Sequence, residues 1–288
     1  HFYVAVPKKD EDIIEKQIYG LYPAAEVTKT KDYNIFNPQG AAAGTNLAYT
    51  ANSILPVKTY AKLESDPMGG ILTAMSKLQA EGEGTAMQIL ARPSHADKQK
   101  LLAIKVVREM QSGYQFKEAL QRALHPPKAP TTEQQKIAEA QKPKIVTPSD
   151  EEVFKSISGK ASKQNFDVNI RLLTSAPSLL RAQQILQDLE GAFVQFSAPD
   201  INGFKTNKLT GRALDKLIYN FSFRLFDNRQ TMVMSTEEIA SFYHLPVVST
   251  AAPRVKFLKA KPAEPPPNLP PEGIVLGRNF FRGQETLV

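Results

Sequence analysis

Residues 125–148 limit what this chain can fold into more than any other stretch. They hold Pro126, Pro127, Pro130, Pro143 and Pro148, with Lys and Gln between them and few bulky apolar side chains. Proline removes the backbone donor that a sheet interior needs, and a segment this polar has little to bury. A polar helix over 132–141 is one option for its centre; as a whole the stretch reads as a linker or extended arm. The 288-residue chain is therefore expected to divide into an N-terminal α+β piece (1–124), the linker (125–148), a second α+β piece (149–248), and a proline-rich spacer with strands (249–288).

Hydrophobic periodicity fills in each piece. Residues 2–6 read as a short strand, and Ile13, Ile14, Ile18 and Leu21 mark one face of a helix that ends at Pro23. Residues 26–36 and 45–57 read as extended. Asp66 before Pro67 announces a second helix. A strand over 85–91 leads into a helix through Leu101, Ile104, Val107 and Met110, followed by a helical piece over 114–124. In the second piece, Ser149 and Glu152 read as a capping box, as do Ser235 and Glu238. Phe166, Val168, Ile170 and Leu172 alternate as a strand. Ala182, Ile185, Leu186, Leu189 and Phe193 form a helical stripe. Residues 211–217 read as a short helix, 219–226 as a strand through Tyr219, Phe221, Phe223 and Leu225, and 231–234 as another. Residues 87–92 and 168–173 echo each other as strand, turn and helix. The fold expected is α+β, with two small mixed sheets and helices on one face of each. The halves are open to a ferredoxin-like arrangement and are joined by the Pro/Lys-rich linker.

Composition narrows the chemistry. Hydrophobic residues at 42% and charged residues at 23% exclude a wholly disordered or collagen-like chain. With no cysteine, disulfide scaffolds, thiol nucleophiles and cysteine-ligated metal sites are excluded. No stretch approaches the ~20 apolar residues of a membrane helix. A net charge of +7 suits nucleic acid or an anionic surface without selecting either. Both ends read as strand-like, and the chain is expected to be a fragment of a longer protein.

Candidate catalytic groups are few. Gly82-Glu83-Gly84 and Gly159-Lys160-Ala161-Ser162 lack the spacing of a phosphate loop and read as helix terminators. His1, His95, His125 and His244 show no metal-ligand spacing, so neither a catalytic residue nor a metal or cofactor ligand is assigned. Glu237-Glu238 and Asp150-Glu151-Glu152 sit where helix capping explains them. Tyr219, Phe221, Phe223 and Phe226 could stack nucleobases, although their alternation makes most of them core. Arg254, Lys256, Lys259 and Lys261 form a basic run ahead of Pro262–Pro271, and with Arg278 and Arg282 they are the candidate interface or phosphate contacts. The readings open on these grounds are a connecting or assembly module, a stand-alone basic nucleic-acid-binding adaptor, and a hydrolase without a motif.

Three segments carry a resemblance. They are residues 183–193 (QQILQDLEGAF), residues 235–246 (STEEIASFYHLP) and residues 273–278 (GIVLGR). Together they resemble the region just upstream of the P-loop motor in bacterial type IV secretion and conjugation ATPases of the HerA/FtsK superfamily. The resemblance implies a non-catalytic N-terminal domain that links a membrane anchor or secretion components to its own C-terminal motor. It further implies a hexameric homo-oligomer at the cytoplasmic face of the inner membrane, working on DNA or protein. The modest charge excess itself leads us to expect any DNA contact to be weak and non-specific. ATP and magnesium would belong to the motor and not to these residues, none of which matches a Walker motif or an arginine finger.

Overall fold

The computed structural model describes residues 1–23, 25–79, 81–94, 97–126, 147–199, 201–246, 264–265, 268–269, 273, 275, 277–281 and 284–287. The chain falls into two compact units, one formed by residues 35–253 and the other by 1–34 together with 254–288.

The larger unit is built on one five-stranded antiparallel sheet. Strand β3 (Asn165–Ala176) is its centre. On one side it pairs with β2 (Gly84–Pro93), from Gly84 opposite Ser175 to Pro93 opposite Phe166. On the other its first residues pair with β5 (Met232–Ser235) and its later ones with β1 (Ala41–Tyr49). Strand β4 (Phe204–Lys208) closes the far edge against β1. Val168, Ile170, Leu172 and Leu173 are buried to 1% exposure or less, because β3 has a neighbour on both sides and helices above and below.

Those helices lie on opposite faces. In the helix Leu179–Gly191, Ala182 takes a hydrogen bond on its carbonyl from Thr174 of β3. In the helix Gly211–Ser222, Asn220 takes one from Arg171 of β3, three residues away and so on the other face. A Cβ on Gly44 of β1 would meet Leu217 of that second helix at 2.7 Å, so glycine sets how closely helix and sheet approach. Counting along the chain, the unit's helices are α2 (Pro67–Ser76), α3 (Asp97–Gln111), α4 (Phe116–Leu124), α5 (Pro148–Ala161), α6 (Leu179–Gly191), α7 (Gly211–Ser222) and α8 (Thr236–Phe242). Ala103, Val106 and Met110 of α3, Ala119 and Ala123 of α4, and Val153 and Ile157 of α5 form one hydrophobic cluster.

The α+β class stands. The division into halves with separate sheets does not, since β1 and β2 come from before 125–148 and β3–β5 from after it, in a single sheet. Helices cover both faces of that sheet and not one. The linker also joins two helices, α4 and α5, that share a cluster. The echoing strands 87–92 and 168–173 are antiparallel neighbours, with Met87 opposite Leu172.

Residues 219–226 are a second correction. Tyr219, Phe221, Phe223 and Leu225 alternate, yet Leu214, Leu217, Ile218 and Phe221 stand at helical spacing and turn inward, with Leu217 and Phe221 buried. Four inward positions outweigh the alternation, and the helix runs on to Ser222. Strand β4 escapes sequence reading because its FKTNK carries two lysines and one aromatic, a composition suited to an edge. The cap of α5 is Thr147, with Asp150 completing the box, and not Ser149. Pro148 has no N–H to offer and takes the first helical position, which puts the cap at Thr147, two residues before Ser149.

The smaller unit holds α1 (Glu11–Leu21) and a two-stranded hairpin of β6 (Arg278–Phe281) and β7 (Gln284–Leu287). Tyr3 and Tyr33 stack with ring centroids 4.3 Å apart. Residues 2–6 and 26–36, expected as extended, form no strand in either unit.

Limited trypsin digestion is expected to cut first at Lys128, Lys136 or Lys144, from the composition of that segment, Lys142 being shielded by Pro143. Because β3 lies between β1 and β2, the two pieces should co-elute as one species on native gel filtration and separate only in denaturant. Two independently eluting fragments would contradict the shared sheet.

Candidate functional site

Helix α5 places Val153, Ile157 and Lys160 on its buried stripe. The spacing of four and then three puts an ammonium where a third apolar side chain would ordinarily stand. Lys160 is 5% exposed, and its partner Glu238, in the first turn of α8, is 0% exposed. The Lys160 Nζ lies 3.1 Å from Glu238 Oε1 and 3.0 Å from Oε2. Tyr49, the last residue of β1, donates its hydroxyl to Oε1 at 2.9 Å. The backbone N–H of Val57 donates to Oε1 at 3.0 Å, and that of Ser235 to Oε2 at 2.8 Å. Both carboxylate oxygens are thus engaged, by one cation, one hydroxyl and two amides.

The loop after β1 is held by the same cluster. Asn202 is 2% exposed, accepts from Ala51 N–H at 3.0 Å, and donates to the Leu55 carbonyl at 2.9 Å. Lys160 Nζ reaches that carbonyl as well, at 3.4 Å. Burial pushes the Tyr49 hydroxyl well above its ordinary pKa, and the Glu238 carboxylate beside it adds to the shift. Burial lowers the Lys160 pKa, with Glu238 opposing the fall.

A catalytic acid or base has to reach a substrate proton. The space beside Lys160, lined in part by Ser53, Gln99, Asn165 and Val233, is about 20 Å³. That admits a water and nothing larger. The arrangement is therefore a closed structural ion pair.

A larger cavity of about 350 Å³ lies against α3 and α5, with Met110, Tyr114, Asp150 and Phe154 in its wall. Of its two carboxylates, Asp150 and Glu151, the first is already engaged, accepting from Thr147 and from the Phe116 N–H. The Tyr114 ring carries Arg122 over its face at 4.0 Å.

On the opposite face of the sheet, Arg171 is fully buried and lies in one row with Asn46 of β1 and Gln88 of β2. Its guanidinium donates to Gln88 Oε1 at 3.0 Å, to the Asn220 carbonyl at 2.9 Å and to the Leu225 carbonyl. A sheet arginine thus serves a last-turn carbonyl of α7, at the negative end of that helix, and one carbonyl just past it.

Of the six basic sequence candidates, Arg278 is the one among the described residues. Arg278 pairs with Glu285 across the hairpin at 2.8 Å. Arg254, Lys256, Lys259, Lys261 and Arg282 lie outside the described residues. Glu83 pairs with Arg181 at 2.6 Å, so the Gly82–Gly84 turn has an engaged acid where a phosphate would lie. Among the described residues no group of three His, Asp or Glu is placed to hold a metal ion, and no helix is long and apolar enough to cross a membrane.

The STEE…HLP segment becomes legible residue by residue. Ser235 caps α8, Glu237 bonds Thr59 Oγ1 at 2.7 Å and pairs with Lys163, and Glu238 holds Lys160. Ser241 accepts from the Tyr60 N–H at 3.0 Å, and His244 meets Asp66, the cap of α2, at 3.0 Å. Capping accounts for Glu238 but not for its buried cation. The signal for Lys160 was its position on the Val153–Ile157 stripe.

The profile described as domain of unknown function (DUF8128) matches residues 1–256, and the chain belongs to that family. Neither a curated protein nor a solved structure matches it.

Removing one partner of the buried pair should cost far more than removing both. Lys160→Met leaves the buried Glu238 without its cation, and should destabilise by about 3–5 kcal/mol in urea unfolding. Lys160→Met with Glu238→Gln should recover at least ~1 kcal/mol of that loss. Strictly additive losses would show that the two groups are not coupled.

Alkali supplies a second measurement. The folded state sheds the Lys160 proton more readily than the unfolded chain, so that group adds stability as pH rises towards its unfolded value of 10.5. The folded state retains the Tyr49 proton longer, so that group removes stability once pH passes 10.0. Of these two groups, only Tyr49 still contributes a slope above 10.5. Stability should fall with pH there, and Tyr49→Phe should flatten the fall in pH-dependent denaturation.

Proposed function

We propose that this chain is the non-catalytic region ahead of the motor in a type IV secretion- or conjugation-like ATPase of the HerA/FtsK superfamily. Its work is to connect the motor to a membrane anchor or secretion component and to help arrange subunits. The C-terminal hairpin carries the reading. β6 and β7 form a two-stranded sheet of their own, outside the five-stranded sheet. Two strands alone are marginal in water, so a hairpin of this kind gains most by joining the edge of a further sheet. The GIVLGR segment that resembles the approach to a P-loop motor leads directly into β6. The closed Lys160–Glu238 pair and the absorption of the STEE…HLP residues into packing support a scaffolding role over a catalytic one.

The reading implies a Gly-x-x-x-x-Gly-Lys-Ser/Thr loop within a few tens of residues after Val288. It is tested by hydrogen exchange on residues 1–288 and on a chain extended through the following domain. Amides of Arg278–Phe281 should exchange fast in the first and be strongly protected in the second. Strong protection in both would place the hairpin in this region's own core and remove the observation on which the reading stands.

A further inference from the structure

The outward face of α7 has a composition that the sheet does not require. Arg212, Lys216, Tyr219 and Phe223 follow one another at spacings of four, three and four, along one side of the helix. Tyr219 is 56% exposed, Phe223 62%, and Leu225, just past the helix, 43%. The Tyr219 and Phe223 rings touch, with centroids 4.7 Å apart. The structure sorts the four aromatics of this segment cleanly: Phe221 is buried, Phe226 lies beneath Arg92 at 4.0 Å, and Tyr219 and Phe223 point to solvent.

The turn that ends α7 fixes this presentation. The Arg224 N–H bonds the Phe221 carbonyl at 3.2 Å, and the Leu225 N–H bonds the Asn220 carbonyl at 2.9 Å. Arg224 takes φ of 51°, the left-handed position that glycine ordinarily fills at a helix end. From beneath, buried Arg171 grips the Asn220 and Leu225 carbonyls. Phe223 and Leu225 are thereby held outward on either side of an exposed cation.

Charge gathers on the same segment. Residues 204–230 contain Lys205, Lys208, Arg212, Lys216, Arg224 and Arg229 against Asp215 and Asp227, a net +4 out of the +7 of the whole chain.

We propose that this face of α7, with the turn at Arg224, is a contact for an anionic lipid surface. The two aromatic tips and Leu225 enter the headgroup boundary while the flanking cations meet lipid phosphates. A second copy would bring the same cations and be repelled. Single-stranded nucleic acid is held along grooves by stacking. A helix laid on a sheet offers a convex face, and an aliphatic side chain beside the rings adds nothing to stacking. The proposal does not rest on the motor reading, because a stand-alone module could use the same face.

Co-sedimentation of the full chain with vesicles tests it. Binding is expected to phosphatidylcholine vesicles containing phosphatidylglycerol, to weaken as salt rises, and to be absent with phosphatidylcholine alone. Each cation near such a surface is worth roughly fivefold in affinity, so Arg212→Gln with Lys216→Gln should lose roughly 25-fold. Tyr219→Ser with Phe223→Ser should lose at least ~fivefold even at low salt. Both variants alter exposed side chains, and thermal melting matching the parent confirms that each is folded. Absence of binding to the anionic vesicles at low salt overturns the proposal, as does binding indifferent to both variants. Tighter binding to an oligothymidylate, lost in the same variants, overturns it in favour of a nucleic-acid face.

Discussion

The fold turns on a buried ion pair. Lys160 and Glu238 are 78 positions apart in sequence, and their contact ties α5 to α8 while Tyr49 and Val57 bring in the end of β1 and the loop after it. Taking two charges out of water is expensive, and mutual attraction repays it only when the remaining lone pairs and protons are satisfied. Here the carboxylate has four donors, and the ammonium has the carboxylate, a carbonyl and the tyrosine ring, whose centroid is 5.0 Å away. An apolar pair of similar volume would pack there without directional demands. Charge and hydrogen bonds instead admit one relative placement of these elements.

That placement matters because the sheet is assembled from distant pieces. β1 pairs with a strand more than a hundred residues further on, and β3 must take β1, β2 and β5 as neighbours. Loop closure has to precede such contacts, so chains of this topology fold slowly and expose unpaired strand edges on the way. Interactions that reward only the correct long-range arrangement are the natural counterweight. The paired caps at Thr147 and Ser235 act locally, whereas Glu238 serves at once as local cap and long-range partner.

How much of this was legible follows from which forces are local. Helices α1, α2, α3 and α6 and strands β2, β3 and β5 were readable, because a cap, a proline or an apolar stripe marks each of them within a dozen residues. Strand β4 was not readable, because an edge strand is defined by its neighbour and FKTNK alone has no hydrophobic alternation. In the α7 segment two periods compete over Phe221, and only the sheet beneath shows which one is satisfied. The division at 125–148 was drawn from composition, which reports what a segment cannot bury and says nothing of whether its flanks meet again. Lys160 sits inside an apolar stripe, and a cation in such a register is the readable trace of a buried polar contact; Arg171 shares the polar register of β3 with Asp167 and Asn169, so its burial leaves no such trace.

The segment that looked most like a functional motif shows what a motif can mean. In STEEIASFYHLP, the serines, both glutamates and the histidine all have identified partners inside the larger unit, and Phe242 packs edge-on to Phe196 and Phe204. Residues that must satisfy a partner, a cap and a packing position together tolerate few substitutes, so a string of them is distinctive without touching any ligand. The signature reports the fold. Contact chemistry is to be sought where side chains exceed what the fold demands, and the outward face of α7 is such a place. There a strained arginine and two exposed rings are present although the buried stripe of Leu217 and Phe221 would hold the helix without them.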